Sequence, residues 1–243
     1  MKVVATYSIK GGVGKTSAAV NLGALAARDG LRTLIWDLDP QGAASFLLRV
    51  EPKVKGGGKQ LIRGKRDPID VMKGTDVEGL DLLPADFSYR HLDIQLDKRK
   101  RPLEGLAEVL AQLEDSYDLA ILDCAPSISL VSEGVFHAAD LLLVPLIPST
   151  LSVRTLEQLR AFLAGGPQPA PEVLAFFSMV DRRKRLHKEL LATLPGIAAA
   201  AIPSASQVEL MGLRRAPLVT TRPGHPASQA YGALWEELRR ALT

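Results

Sequence analysis

The chain has 243 residues, of which 47% are hydrophobic and 23% charged, which is enough apolar material for a full core and excludes wholesale disorder. Its formal net charge of +3 is too mild to establish a nucleic-acid partner from composition alone. A single cysteine, Cys124, excludes an internal disulfide, cannot by itself hold an iron–sulfur cluster, and fits a reducing compartment.

The first apolar stretch, Val3 to Ser8, is short and runs straight into a glycine-rich turn, so it reads as a strand and not as a signal peptide. The turn, Lys10-Gly11-Gly12-Val13-Gly14-Lys15-Thr16, opens a helical pattern over Lys15 to Arg28. Further strands are expected at Thr33–Asp37, Leu80–Leu83, Leu119–Asp123, Leu141–Pro145, Val173–Met179 and Ala199–Ile202. Helical patterns alternate with them at Leu103–Asp115, Leu130–Ala138, Val153–Ala164, Leu186–Leu194 and Ala227–Leu242. Most of the strands are unbroken apolar runs, the pattern of a strand covered on both faces. The fold class that follows is α/β: a mostly parallel, twisted sheet flanked by helices on both faces. Residues 1–243 read as one domain of this kind.

The glycine-rich stretch Glu51 to Pro68, with several lysines and arginines, breaks the periodicity and reads as a mobile loop. Gly165 to Pro171 reads as a rigid surface turn. The longest apolar run, Leu141 to Ile147, is interrupted by Pro145 and is far too short to span a membrane. His91, His137, His187 and His225 are too scattered for a metal site, Met72, Met179 and Met211 read as core fillers, and Cys124 as a small buried apolar residue.

A glycine-rich turn between a strand and a helix is the context that identifies a phosphate-binding loop. Glycines at 11, 12 and 14 let several backbone N–H groups converge, and the helix that begins near Lys15 adds its positive end. The nucleotide-binding set is therefore Gly11, Gly12, Val13, Gly14, Lys15, Thr16 and Ser17. Lys15 suits the β- and γ-phosphate oxygens of ATP, and the Thr16 hydroxyl suits Mg²⁺. A plain strand-to-helix turn would not also place a lysine and a threonine at the start of the helix.

The loop departs from the general P-loop: Ile9 stands where the first glycine belongs, and a second lysine stands at Lys10. K-G-G-V-G-K-T resembles the deviant Walker A motif of ParA/MinD-type ATPases, most nearly the ParA/Soj partitioning type. The resemblance implies that Lys10 reaches the phosphates held by a partner subunit, so that ATP drives homodimer formation. Asp37-Leu38-Asp39-Pro40-Gln41-Gly42 is similar to the family's first switch, which implies that Asp39 orients the attacking water. Asp123-Cys124-Ala125-Pro126-Ser127 looks like its Walker B and second switch, which implies that Asp123 holds Mg²⁺ through water. Ala201-Ile202-Pro203 is similar to the segment that packs near adenine in relatives, which places Pro203 beside the base.

The same resemblance implies a slow ATPase, stimulated by a ParB-like or other adaptor, that binds DNA without sequence preference in its ATP state. A cytoplasmic, nucleoid-associated location follows, with a plasmid, a chromosome origin or a protein assembly as cargo. Candidate DNA contacts are Arg182, Arg183, Lys184, Arg185 and Lys188 in one cluster and Arg214 and Arg215 in another. A MinD-like membrane ATPase would instead use the last helix, whose Tyr231, Leu234, Trp235, Leu238 and Leu242 suit core packing better. A P-loop biosynthetic ligase would need a second substrate pocket, a GTPase would need an N-K-x-D motif that the chain lacks, and an iron–sulfur donor would need more thiols.

Overall fold

The computed structural model describes residues 1–166 and 169–243. In chain order the elements are β1 (Lys2–Thr6), α1 (Lys15–Arg28), β2 (Thr33–Asp37), α2 (Ala43–Leu47), α3 (Gly57–Ile62), β3 (Lys73–Gly74), β4 (Leu80–Leu83), a 3-10 turn (Phe87–His91), α4 (Leu92–Asp97), α5 (Glu104–Ala111) and β5 (Leu119–Asp123). They continue as α6 (Leu130–Ala138), β6 (Leu141–Leu146), α7 (Thr150–Gly165), β7 (Glu172–Val180), α8 (Arg185–Thr193), β8 (Ile197–Pro203), α9 (Ser206–Glu209), α10 (Met211–Arg214), α11 (Leu218–Thr221) and α12 (Pro226–Ala241).

The strands form one sheet in the order β3-β4-β2-β5-β1-β6-β7-β8, parallel throughout except for the antiparallel two-residue β3. Successive side chains point to opposite faces, so each strand feeds two cores. Ala5, Leu34, Trp36, Leu122 and Val144 pack on one face with α4, α5, α6 and α7 residues. Val4, Ile35, Leu82, Ile121 and Leu143 pack on the other with α1, α2 and α12. Both apolar layers are covered, as the unbroken runs require.

Pro145 does not end its strand. β6 pairs with β1 only through Leu143, and beyond that point it bonds to β7 alone, where Pro145 stands opposite Phe176. On the free side the missing N–H costs no ladder bond.

The last helix is a core element. Tyr231, Leu234, Trp235 and Leu238 are buried, and the Trp235 indole donates to Asp29 at 2.7 Å. Glu237 accepts hydrogen bonds from the Ala199 and Ala200 amides of β8. Among the described residues no helix is long and apolar enough to cross a membrane.

The stretch expected to be a mobile loop is instead built into the fold. Val50 belongs to one core, while Val54, Leu61, Ile62 and Val71 belong to the other, so the chain wraps around the β3–β4 edge of the sheet. The Val54 amide donates to Asp86 at 2.8 Å, the Gly58 amide to Ser88 at 2.9 Å, and Arg99 holds the Ile62 carbonyl. Of the turn expected at Gly165 to Pro171, Pro167 and Gln168 lie outside the described residues.

Candidate active site

The phosphate-binding loop joins the end of β1 to the first turn of α1. Gly12 and Gly14 take left-handed φ values of 69° and 95°, which only glycine adopts freely. At Gly14 a Cβ would also lie 2.9 Å from Ser178 Oγ of β7. No side chain caps α1 and its first turn holds no acidic residue, so its leading N–H groups are available to an anion. Lys15 is buried and its amine donates to the Lys10 carbonyl at 3.2 Å. Burial lowers its pKa, and the nearby Asp123, Cys124 and Asp39 oppose that shift. Lys10 is half-exposed, and its amine has no hydrogen-bond or ion-pair partner among the described residues.

Two carboxylates close the floor. Asp37 and Asp123 end the paired parallel strands β2 and β5 in register, and both are fully buried. Asp37 Oδ2 accepts from the Ser45 amide at 2.8 Å and the Ser45 hydroxyl at 2.7 Å, while Oδ1 accepts from the Asp39 amide at 3.3 Å. Asp123 Oδ1 accepts from the Thr6 hydroxyl at 3.2 Å, and its Oδ2 is buried without a hydrogen-bond partner among the described residues. Burial pushes both carboxyls well above the usual range; at Asp123 the charge of Asp37 adds to this, and Thr16, Thr6 and Lys15 pull back. A buried carboxylate oxygen left short of a partner beside a threonine hydroxyl fits a hard divalent cation such as Mg²⁺.

Above this floor opens a cleft of about 280 Å³ lined by Gly11, Gly12, Val13, Gly14, Lys15, Thr16, Ser17, Asp39, Pro126 and Met179. All seven loop residues expected from the sequence are thus brought together with Asp39, whose Oδ1 accepts from the Gln41 amide at 2.9 Å. Pro203 does not line the cleft; it ends β8 opposite Val180. Met179, read from the sequence as core filler, is instead 38% exposed with a φ of 55° and stands at the cleft wall. Its apolar spacing in β7 concealed that it sits at the strand's carboxyl end, where open α/β sheets place ligands. Met211 is buried in one core, Met72 packs against the core on the other face of the sheet, and Cys124 is buried with its thiol pKa raised by that burial. A larger groove of about 990 Å³, lined in part by Arg28, Arg32, Asp76 and Pro217, holds none of the motif residues.

A family described as AAA domain matches residues 1–165. A ParA family protein of Chlamydia muridarum is 30% identical across 98% of this chain and 97% of its own length. The chain belongs to the ParA family of P-loop ATPases. The chromosome partitioning protein ParA of Caulobacter vibrioides is 31% identical, covering 78% of this chain and 74% of its own. Among solved structures, a cobyrinic acid a,c-diamide synthase from Mycobacterium smegmatis, with bound ATP analog and magnesium, superposes with a TM-score of 0.85 at 26% identity, covering 99% of this chain and 94% of that one.

The two basic clusters of this ParA-family chain differ in availability. Arg182, Arg183, Lys184, Arg185 and Lys188 are all exposed at the β7–α8 junction, where Arg183 pairs with Asp181 and Arg185 with Glu189. Arg214 and Arg215 are half-buried. The Arg215 guanidinium donates to the Phe46 carbonyl at 2.9 Å and lies over the Phe46 ring. Arg49 in turn donates to the carbonyls of Arg214 and Arg215, at 3.0 and 3.1 Å. These contacts tie α10 to α2, the helix that follows the Asp37–Gly42 loop.

Asp37 and Ser45 were absent from the sequence-derived site set. The first aspartate of D-L-D-P was visible in the sequence, but Ser45 lies six residues beyond Asp39 with no motif to mark it.

Proposed function

We propose that this chain, acting as one unit over residues 1–243, is an ATPase that dimerises around ATP, binds DNA without sequence preference in that state, and positions or segregates a cargo. The observation that carries this reading is the division between the two lysines: the Lys15 amine turns inward onto the loop, while the Lys10 amine at the same loop has no partner among the described residues. An unpartnered amine beside a phosphate cradle suits a second protomer's triphosphate.

With ATP bound, Lys15 exchanges the Lys10 carbonyl for β- and γ-phosphate oxygens and gains a full counter-charge in place of a dipole. The Gly11–Ser17 amides hold the remaining oxygens. Asp39, fixed through its bond to the Gln41 amide and through its own amide on Asp37, orients water toward the γ-phosphorus. The water oxygen bonds to the γ-phosphorus as the P–O bond to the β–γ bridging oxygen breaks, leaving ADP and phosphate, with the water's proton passed to phosphate or solvent. Thr16 and Asp123 would hold Mg²⁺, which neutralises phosphate charge when bound. With no arginine among the described residues that line the cleft, charge stabilisation depends on Lys10 from across the dimer, so turnover is slow until an adaptor of the ParB kind tightens the assembly.

The chromosome partitioning relative, matched over 78% of this chain, favours this reading over a membrane ATPase, and the burial of the apolar face of α12 does so independently. An amide-forming role, suggested by the name of the superposed synthase, needs an organic acid and an ammonia donor beside the γ-phosphate. The deciding experiment is binding of a random-sequence duplex with ATP, ADP or no nucleotide, beside Lys10→Ala. Binding in ATP alone, lost in the variant, is expected; equal binding in all three states contradicts it.

A further inference from the structure

The basic insert between α2 and β4 carries more charge than the rest of the protein. From Arg49 to Lys73 there are eight basic and three acidic residues, a net of +5, whereas the whole chain carries +3 and everything outside the insert therefore −2. The insert is anchored by Val54, Leu61, Ile62 and Val71, all buried. Its cations face outward: Lys53, Lys55, Lys59, Arg63, Lys65 and Lys73 are all exposed. None of the six has an ion-pair partner among the described residues, whereas Arg49 and Arg66 pair with Asp76 and Asp70. Between the root of the insert and the edge strand lies a groove of about 640 Å³, lined by Arg49, Lys53, Lys55 and Lys73 with Glu51 and Asp70.

We propose that this insert is a docking surface for the phosphate backbone of duplex DNA, resting on the DNA-binding reading above and adding a second contact region to it. Covering the β3–β4 edge explains the buried apolar anchors and one or two lysines. It does not explain six unneutralised charges of one sign, whose mutual repulsion a simple cover would avoid. A polyanion with regularly spaced charges and no demand on base identity matches such a surface.

A lipid surface matches less well. The apolar residues of α3, Leu61 and Ile62, are spent in the core, which leaves Ile69 as the insert's one large exposed apolar side chain among the described residues. The insert also supplies what the Arg214–Arg215 pair lacks, since Arg215 is committed to Phe46 and Arg214 Nη1 is buried. Its root is joined to the nucleotide site: it follows α2, whose Ser45 bonds Asp37, and Arg49 grips the Arg214 and Arg215 carbonyls. A shift of the Asp37–Gly42 loop therefore moves the insert and α10 together.

The test is fluorescence anisotropy of a labelled random duplex with ATP across a salt series, for the full chain and three variants. The first replaces Lys53, Lys55, Lys59 and Lys65 by glutamine, the second replaces the same four by arginine, and the third replaces Arg182, Lys184 and Lys188 by glutamine. Loss of two phosphate contacts lowers the log–log salt slope by about 1.8 and affinity at 0.15 M salt by about 30-fold. The glutamine insert variant is expected to lose at least that much, and the arginine variant to retain binding, with unchanged thermal melting in both. An insert variant that binds like the wild type while the α8 variant fails overturns the insert's role and leaves the DNA reading standing. Absence of DNA binding by the wild type in every nucleotide state overturns both. Wild-type binding to anionic phospholipid vesicles in place of DNA, lost in the glutamine variant, overturns the proposal in favour of a membrane.

Discussion

Ser45 holds Asp37 by two hydrogen bonds to one carboxylate oxygen, its amide at 2.8 Å and its hydroxyl at 2.7 Å, and the same hydroxyl accepts the Ala85 amide. This joins the third residue of α2 to the floor of the nucleotide cleft and to the segment after β4. Removing the hydroxyl leaves a fully buried carboxylate short of a donor, at a cost of about 1–3 kcal/mol. Ser45→Ala is expected to lose that much in urea denaturation without nucleotide. ATP turnover should fall while ATP affinity changes little, because Asp39 is positioned through Asp37 and the phosphate cradle is not. Unchanged turnover would separate Asp39 from this network.

At the opposite ends of the same strands, Asp118 accepts from Arg32 through the guanidinium at 2.7 and 3.2 Å and the amide at 2.9 Å. These bonds lower the Asp118 pKa to about 2. A lowered carboxylate contributes fully above its unfolded value of about 4 and loses that contribution as pH falls through about 2. Arg32→Ala should return the Asp118 titration, followed by carboxyl NMR, toward the ordinary value. Its stability deficit relative to wild type should shrink between pH 4 and 2; a constant deficit would assign Arg32 a packing role alone.

DNA affinity in the ATP state should depend steeply on salt. About four phosphate contacts per complex give a roughly fifty-fold loss on tripling the salt concentration. A duplex-binding isotherm insensitive to salt would exclude backbone recognition by these lysines and arginines.

The last helix offers a separate check. Leu234 is fully buried, so Leu234→Ala should cost about 2–5 kcal/mol in chemical denaturation. The wild-type protein with ATP should not float with phospholipid vesicles, since the same apolar stripe cannot serve the core and a bilayer. Flotation would favour the membrane reading.

Much of this site was legible because its chemistry is local. The spacing of Gly11, Gly12, Gly14, Lys15 and Thr16 dictates both the curl of the loop and its ligand, and the unbroken apolar runs locate β1, β2, β5 and β6. What escaped was set by tertiary contacts. α3 has six residues, begins at a glycine and forms because Leu61 and Ile62 find the core, which no periodicity in so short a segment reveals. Met179 shares the hydrophobic pattern of β7 yet sits at the end of the strand beside the P-loop. Arg214 and Arg215 read as a free basic pair, whereas Phe46 and Arg49, more than 160 positions away in sequence, engage them.

The central claim is that two protomers close over ATP, each lending Lys10 to the other. Light scattering of Asp39→Ala, which should retain ATP without turning it over, tests it most directly. The expected result is twice the protomer mass with ATP, a single protomer with ADP, and a single protomer in ATP once Lys10→Ala is added. A single-protomer mass with ATP demonstrably bound, or a dimer indifferent to Lys10, would contradict it.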